Sequence, residues 1–417
     1  MNDYLKNPEL ERLVEELNRE QDRSNSDSDS SDEGSESERR RAERPLQTEP
    51  GLGSPLEKVL REMARLGASD LLLISGAPPV LRLSGHLTPL DQGPLDSEDV
   101  QTMFAPFLNR KTTERLEKEG STDFSLRLGP GSTQGDADLS GAWRFRINLH
   151  RQRGNLAAAV RALPMQIPTL AELNLPPVFS ELVRPSRGLV LICGPTGSGK
   201  SSTLAALVGE LNRKRPIHIV TIEDPIEYEH RNARAIIEQV EVGRDSPSFS
   251  AALRASLRQD PDVILVGEMR DLDTVATALT AAETGHLILS TLHTSDASQA
   301  IHRMVDVFPP AQQGQIRHQL ALSLHAIACQ QLVPRPEGRG RVPAVELMLA
   351  NTAIRNHIRN ERLQNLKQEI TLGKRQGMIT FEESLAQLVH LGAISEEEAR
   401  IRAWSEEEFG SQMRGSK

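Results

Sequence analysis

Residues 188–214 read GLVLICGPTGSGKSSTLAALVGELNRK, an apolar run and a helical run joined through G-x-x-x-x-G-K-S. This arrangement constrains the fold more than any other in the chain. Glycines at 194, 197 and 199 allow backbone conformations that turn N–H groups toward one point without Cβ clashes. The helix that follows adds its own unpaired amides and the favourable end of its dipole. The pattern therefore predicts a strand, a phosphate-cradling loop and a helix, with a nucleoside triphosphate as ligand. Gly194, Pro195, Thr196, Gly197, Ser198, Gly199, Lys200, Ser201 and Ser202 are the candidate binding residues. Lys200 supplies a point charge for the β- and γ-phosphates, and the Ser201 hydroxyl suits Mg²⁺.

A strand that feeds such a loop belongs in a larger sheet. GLVLIC, IHIVTIE, DVILVGE and HLILSTL are short, almost wholly apolar and separated by helical stretches. Strands buried on both faces look like this, which predicts an α/β core with a parallel sheet over 187–350. In such sheets ligands bind beyond the carboxyl ends of the strands. Glu223, Glu268 and His293 all fall at such ends. Hydrolysis needs one carboxylate to polarise water and another to hold Mg²⁺ through water, and Glu223 and Glu268 can each fill either role. His286 and His293 flank one strand, and with no cysteine near them a zinc site lacks ligands. His293, on the nucleotide side, is read as a phosphate sensor, acting directly or through Glu268, with simple core packing as the alternative.

The flanking regions differ in kind. Residues 54–165 read as a mixed α+β domain, 166–186 as a proline-punctuated linker and 351–417 as a helical region. In WRFRINLHRQ, period two puts Arg144, Arg146, Asn148 and His150 on one strand face. That face can be merely solvated, or Arg144 or Arg146 can reach the γ-phosphate of an adjacent subunit as an arginine finger. Arg151, Arg153 and Arg161 are further candidates. Residues 1–53 form a tail with a short amphipathic helix at 10–17 and a Ser/acid-rich run at 24–45, too poor in apolar residues to offset its ordering entropy.

Charge narrows the uses of the nucleotide. The chain of 417 residues has a net charge of −9, but 1–53 alone holds 8 basic and 15 acidic residues, leaving 41 and 43 in the remainder. A nearly neutral body with 3% aromatic residues offers little to nucleic acid, so a translocase is the weaker alternative. No apolar run nears the roughly 20 residues that cross a bilayer. The N-terminus lacks a signal-peptide core, and two cysteines make no disulfide framework. These features suggest a reducing, cytoplasmic setting.

Four segments occur in order: GPTGSGKSS, TIEDPIEYEH, LRQDPDVILVGEMRD and AAETGHLILSTLHTSDA. Together they resemble the Walker A, Asp box, Walker B and His box of the type II/IV secretion (GspE/PilT) ATPase family. The likeness runs over about 55–400. EMRD at 268–271, AIRNHI at 353–358 and the lack of a tetracysteine insert resemble the family's pilus-retraction branch more than its assembly or secretion branches. Departures are His357 where that branch has Leu, Leu72 where a His is usual, a long loop at 129–141 and the N-terminal tail. The resemblance implies a RecA-like P-loop core, a PAS-like N-terminal domain, and a homohexamer using ATP and Mg²⁺. It also implies trans contacts by Arg144 and Arg146. The implied partners are an inner-membrane platform protein and the type IV pilus machinery, with membrane association only through those partners and no nucleic acid. The implied work is pilin disassembly, which is twitching motility; pilus assembly or type II secretion is the near alternative.

Overall fold

The computed structural model describes residues 54–83, 85–129, 143–336 and 340–415. The expected tail helix and acidic run, and the loop beyond Gly129, lie outside the described residues. The chain forms two compact units that divide at Gln166/Ile167.

The first unit is an antiparallel six-stranded sheet with helices on one face. Its elements are α1 (Pro55–Arg65), β1 (Asp70–Ile74), β2 (Val80–Leu83), β3 (His86–Pro89), α2 (Ser97–Phe104), α3 (Arg110–Glu119), β4 (Ser121–Leu128), β5 (Trp143–Gln152) and β6 (Asn155–Leu163). Two three-stranded meanders join through β1 and β6, giving the order β3-β2-β1-β6-β5-β4. Alternation does the sorting. Leu71 and Leu73, with Phe145, Ile147, Leu149, Ala158 and Val160, face a core closed by Leu56, Leu60 and Met63 of α1 and Phe104 of α2. The opposite face carries Asp70, Arg82, Asp123, Arg146 and Arg161 around an open cavity of about 480 Å³.

The second unit contains β7 (Gly188–Cys193), α4 (Lys200–Lys214), β8 (His218–Glu223), β9 (Ile236–Glu241), α5 (Phe249–Ser256), β10 (Val263–Val266), α6 (Leu272–Thr284), β11 (Leu287–Leu292), α7 (Ala297–Asp306), α8 (Pro310–Ser323), β12 (Leu324–Pro334) and β13 (Arg341–Leu349). The sheet order is β13-β12-β7-β11-β10-β8-β9. Every pair from β12 to β9 is parallel, and β13 is antiparallel to β12. The expected parallel sheet is thus corrected to a mixed one, because β12 ends in a hairpin that adds β13 at the edge. β7, β10 and β11 are buried at every residue. Leu189, Leu191 and Cys193 face the layer of α5–α8. Val190 and Ile192 face α4.

Residues 166–186 are the segment expected as a linker. They include a 3₁₀ segment at Pro177–Val183, and Leu170, Leu175, Phe179, Leu182 and Val183 are buried against α4 and its side of the sheet. The C-terminal region contains α9 (Thr352–Arg359), α10 (Leu366–Leu372), α11 (Phe381–His390), α12 (Glu396–Arg402) and α13 (Glu406–Gly415). Phe381, Leu385 and Phe409 of this layer pack on Val333, Val342 and Ala344 of the β12–β13 hairpin. In α9, Arg355 donates to the carbonyls of Ala350, Ala321 and Leu322 and so closes the end of α8. His357, the departure in that motif, meets Glu369 Oε1 at 3.3 Å.

Candidate functional site

The loop between β7 and α4 is shaped by what lies beneath it. Gly194 has φ +143°, and a Cβ there would sit 2.2 Å from the Gln330 carbonyl oxygen. Gly199 has φ +89°, and a Cβ would sit 2.8 Å from Gln330 Nε2. Both positions exclude a side chain on two grounds, backbone conformation and close approach. Gly199 is also the N-cap of α4 and gives no side-chain cap, so the first amides of the helix stay available to a ligand.

Lys200 lies under the loop and is largely buried. Its ammonium donates to the carbonyls of Gly194 and Pro195, each at 2.9 Å. Burial pushes its pKa down, and acidic neighbours including Glu268 and Glu227 oppose that. Ser201 is exposed at the helix start. Ser202 Oγ is 2.7 Å from Tyr228 Oη, which ties α4 to the segment after β8.

β8 and β10 are hydrogen-bonded neighbours, and each ends near an acid. Glu223 accepts from Thr221 Oγ1 at 2.7 Å and from Gln239 Nε2 at 3.3 Å. Burial raises its pKa, with those two hydrogen bonds working against the rise. Gln239 also donates to the Tyr228 carbonyl and accepts from the His230 amide, so it organises the turn after Glu223. Glu268 follows Gly267, whose amide donates to the Ile222 carbonyl at 2.8 Å. Its Oε2 pairs with Arg270 at 2.7 Å and lies 3.9 Å from His293 Nε2. Thr291 Oγ1 donates to the Gly267 carbonyl at 2.6 Å and fixes the ends of β10 and β11 together. Burial lowers the His293 pKa, Lys200 and Arg270 lower it further, and Glu268 opposes them. These effects favour the neutral imidazole, which has one nitrogen to donate a hydrogen bond and one to accept.

These positions bring Lys200, Glu268 and His293 into one electrostatic neighbourhood at the carboxyl ends of the strands. His286 is elsewhere, at the amino end of β11, with Nδ1 3.1 Å from the Ala281 carbonyl. The arginines lie in the first unit. Arg146 is half-exposed and pairs with Asp123 at 3.6 Å. Arg144 departs from the expected solvated face, since it is 5% exposed and has partners of its own.

Among the described residues, no cluster of three His, Cys, Asp or Glu is arranged to hold a metal ion. A hydroxyl at Ser201, a carboxylate at Glu268 and phosphate oxygens are the hard donors Mg²⁺ accepts, and Mg²⁺ commonly keeps several waters. The site fits that ion as a companion of a nucleotide.

The sequence reading missed Thr203, Thr221, Tyr228, Gln239 and Gln330. The one signal for Gln330 is a Gln-Gln pair inside the otherwise apolar run LHAIACQQLVP. A buried polar side chain needs a partner, and here the partners are Ser198 in the loop and Thr203 in α4.

Residues 174–400 match the family described as type II/IV secretion system protein. The chain is 42% identical over 354 residues to the type IV pilus retraction ATPase PilT of Pseudomonas aeruginosa, covering 85% of this chain and 99% of that protein. It is 39% identical over 334 residues to a twitching motility protein of Neisseria gonorrhoeae, covering 80% and 86%. The crystal structure of the pilus retraction motor PilT with bound ADP superposes with a TM-score of 0.76 at 44% identity, covering 86% of this chain and 99% of that one.

Proposed function

This chain belongs to the type II/IV secretion ATPase family, and on that footing we propose that it powers retraction of a type IV pilus by hydrolysing ATP. It is an ATPase, as that family membership and the likeness to ADP-bound PilT establish. The observation that carries the reading is the glycine loop with buried Lys200 beneath it, facing Glu268 and His293 at the strand ends. We read the second unit as a RecA-like P-loop core and the first as the PAS-like N-terminal domain.

In this reading residues 194–202 bind ATP. Lys200 exchanges its two carbonyl partners for phosphate oxygens, and the Gly199 and Lys200 amides complete the cradle. Ser201 and Glu268 hold Mg²⁺, which neutralises phosphate charge when bound. Glu223 or Glu268 orients and deprotonates the attacking water. The raised pKa of Glu223 makes it the stronger base once ionised, and the proximity of Glu268 to Lys200 supports its contact with the phosphates. Neutral His293 reports phosphate occupancy through Glu268.

Arg146, and with it Arg144, supplies positive charge to the nucleotide of a neighbouring subunit. The exposure of Arg146 supports this more than the burial of Arg144 does. The protein works as a homohexamer at the cytoplasmic face of the inner membrane, on a platform protein of the pilus machinery. No helix among the described residues is long and apolar enough to cross a membrane. The hinge on which the chain bends as nucleotide is turned over lies within 164–186. The test is ATP turnover by the purified full-length chain: activity lost in Lys200→Ala supports the site, and activity retained there refutes it.

A further inference from the structure

Gln330 follows Cys329, which is in register with Cys193 of β7. This places Gln330 under the loop that leaves β7. The side chain is buried, and both its polar atoms are engaged by residues more than 120 positions away. Nε2 donates to the Ser198 carbonyl at 2.6 Å. Oε1 accepts from Thr203 Oγ1, itself fully buried in the first turns of α4, at 2.8 Å. The amide can have only one orientation here, because the Ser198 carbonyl accepts and cannot donate.

A trans peptide is planar and its C=O and N–H point in opposite directions. Pinning the Ser198 carbonyl toward Gln330 therefore aims the Gly199 N–H away from the sheet. That N–H is one of the amides the loop offers to phosphate. The Thr203 bond fixes the same amide plane against α4, so loop and helix are held at one spacing.

We propose that Gln330 is a positioning residue for nucleotide binding, an amide clamp that orients the Gly199 N–H of the phosphate loop from the adjacent strand. The inference rests on the nucleotide-site reading above. Gln330 touches no phosphate and acts through Ser198 and Thr203.

The test compares ADP affinity in the full-length wild type and three variants, with thermal melting as the control for folding. Gln330→Met keeps the length and removes both hydrogen bonds; ADP binding should weaken about tenfold or more. Thr203→Val removes one bond and should weaken it less. Gln330→Glu is the decisive variant. A neutral carboxyl can donate to the Ser198 carbonyl and an ionised one cannot. Its affinity, taken relative to wild type at each pH, should recover as pH falls. A merely structural role would lower melting temperature without that pH signature. Wild-type ADP affinity in a folded Gln330→Met, or a Gln330→Glu deficit that ignores pH, overturns the proposal. A wild type that binds no ADP overturns the nucleotide reading as well, and the proposal falls with it.

Discussion

His293 Nε2 stands 3.9 Å from Glu268 Oε2, across the carboxyl ends of adjacent parallel strands. Burial, Lys200 and Arg270 lower the imidazole pKa and favour its neutral form, against Glu268. A neutral histidine beside a carboxylate can follow changes in that carboxylate's contacts without bringing a charge of its own. His293→Ala should reduce kcat roughly ten- to a hundredfold, in line with loss of a residue that orients a ligand-contacting group, while leaving ADP affinity close to wild type. Unchanged turnover in steady-state assays would remove His293 from the mechanism.

The two carboxylates should separate by pH. Glu223 is buried and its pKa is raised; Glu268 is paired with Arg270. A base works only when ionised, so if Glu223 is the base, kcat rises with pH along a limb above the ordinary carboxylate range. Glu223→Gln should abolish that limb and lower kcat at least about a hundredfold. A limb that persists in Glu223→Gln and disappears in Glu268→Gln assigns the base to Glu268.

Glu346 of β13 accepts from the Ala297 amide at 2.9 Å and so holds the start of α7, just after the His293 loop. Burial, with Asp296 and Glu382 adding to it, raises its pKa from 4.5 to about 7; the Ala297 amide and Lys367 oppose. The folded state therefore binds the proton more tightly than the unfolded state. That stabilisation is fully present below pH 4.5 and is lost as pH rises to about 7, a fall on the order of 3 kcal/mol. Glu346→Gln keeps an acceptor for Ala297 and should flatten this slope. Melting curves between pH 5 and 8 that show the same slope in both proteins would contradict it.

Gly194→Ala should fail for a geometric reason. The added Cβ meets the Gln330 backbone oxygen at 2.2 Å, at a φ of +143° that L-residues avoid. The loop must move, and ADP affinity should drop at least about tenfold, because a positive-φ strain alone costs on the order of 1–3 kcal/mol. Wild-type affinity by titration would show that the loop has more room than the geometry gives it.

Much of this was legible in the chain because periodicity and burial agree there. GLVLIC, IHIVTIE, DVILVGE and HLILSTL are largely apolar and form β7, β8, β10 and β11. The acids and His293 followed from strand polarity alone. β12 and β13 were missed because LHAIACQQLVP continues directly from α8, so no turn signal marks where the helix stops. β6 was missed because its apolar run leads into the proline-rich segment read as linker. The prolines of that segment mark breaks in regular structure and say nothing of burial, and Phe179 and Leu182 are fully buried. Arg144 looked solvated by strand alternation, which says which face a side chain takes and not what covers it. The Gln330 clamp pairs residues 127 and 132 positions apart and leaves no local pattern to read.

If ATP turnover at the 194–202 loop drives pilus retraction, a loop that cannot turn over ATP cannot retract pili. The most direct measurement is the count and retraction of surface pili in a strain lacking this chain, complemented with wild type or with Lys200→Ala. The deletion strain should carry an excess of pili that do not retract, restored to normal by the wild type and unrelieved by Lys200→Ala. Loss of pili in the deletion strain would identify an assembly motor instead, and full restoration by Lys200→Ala would contradict the claim outright.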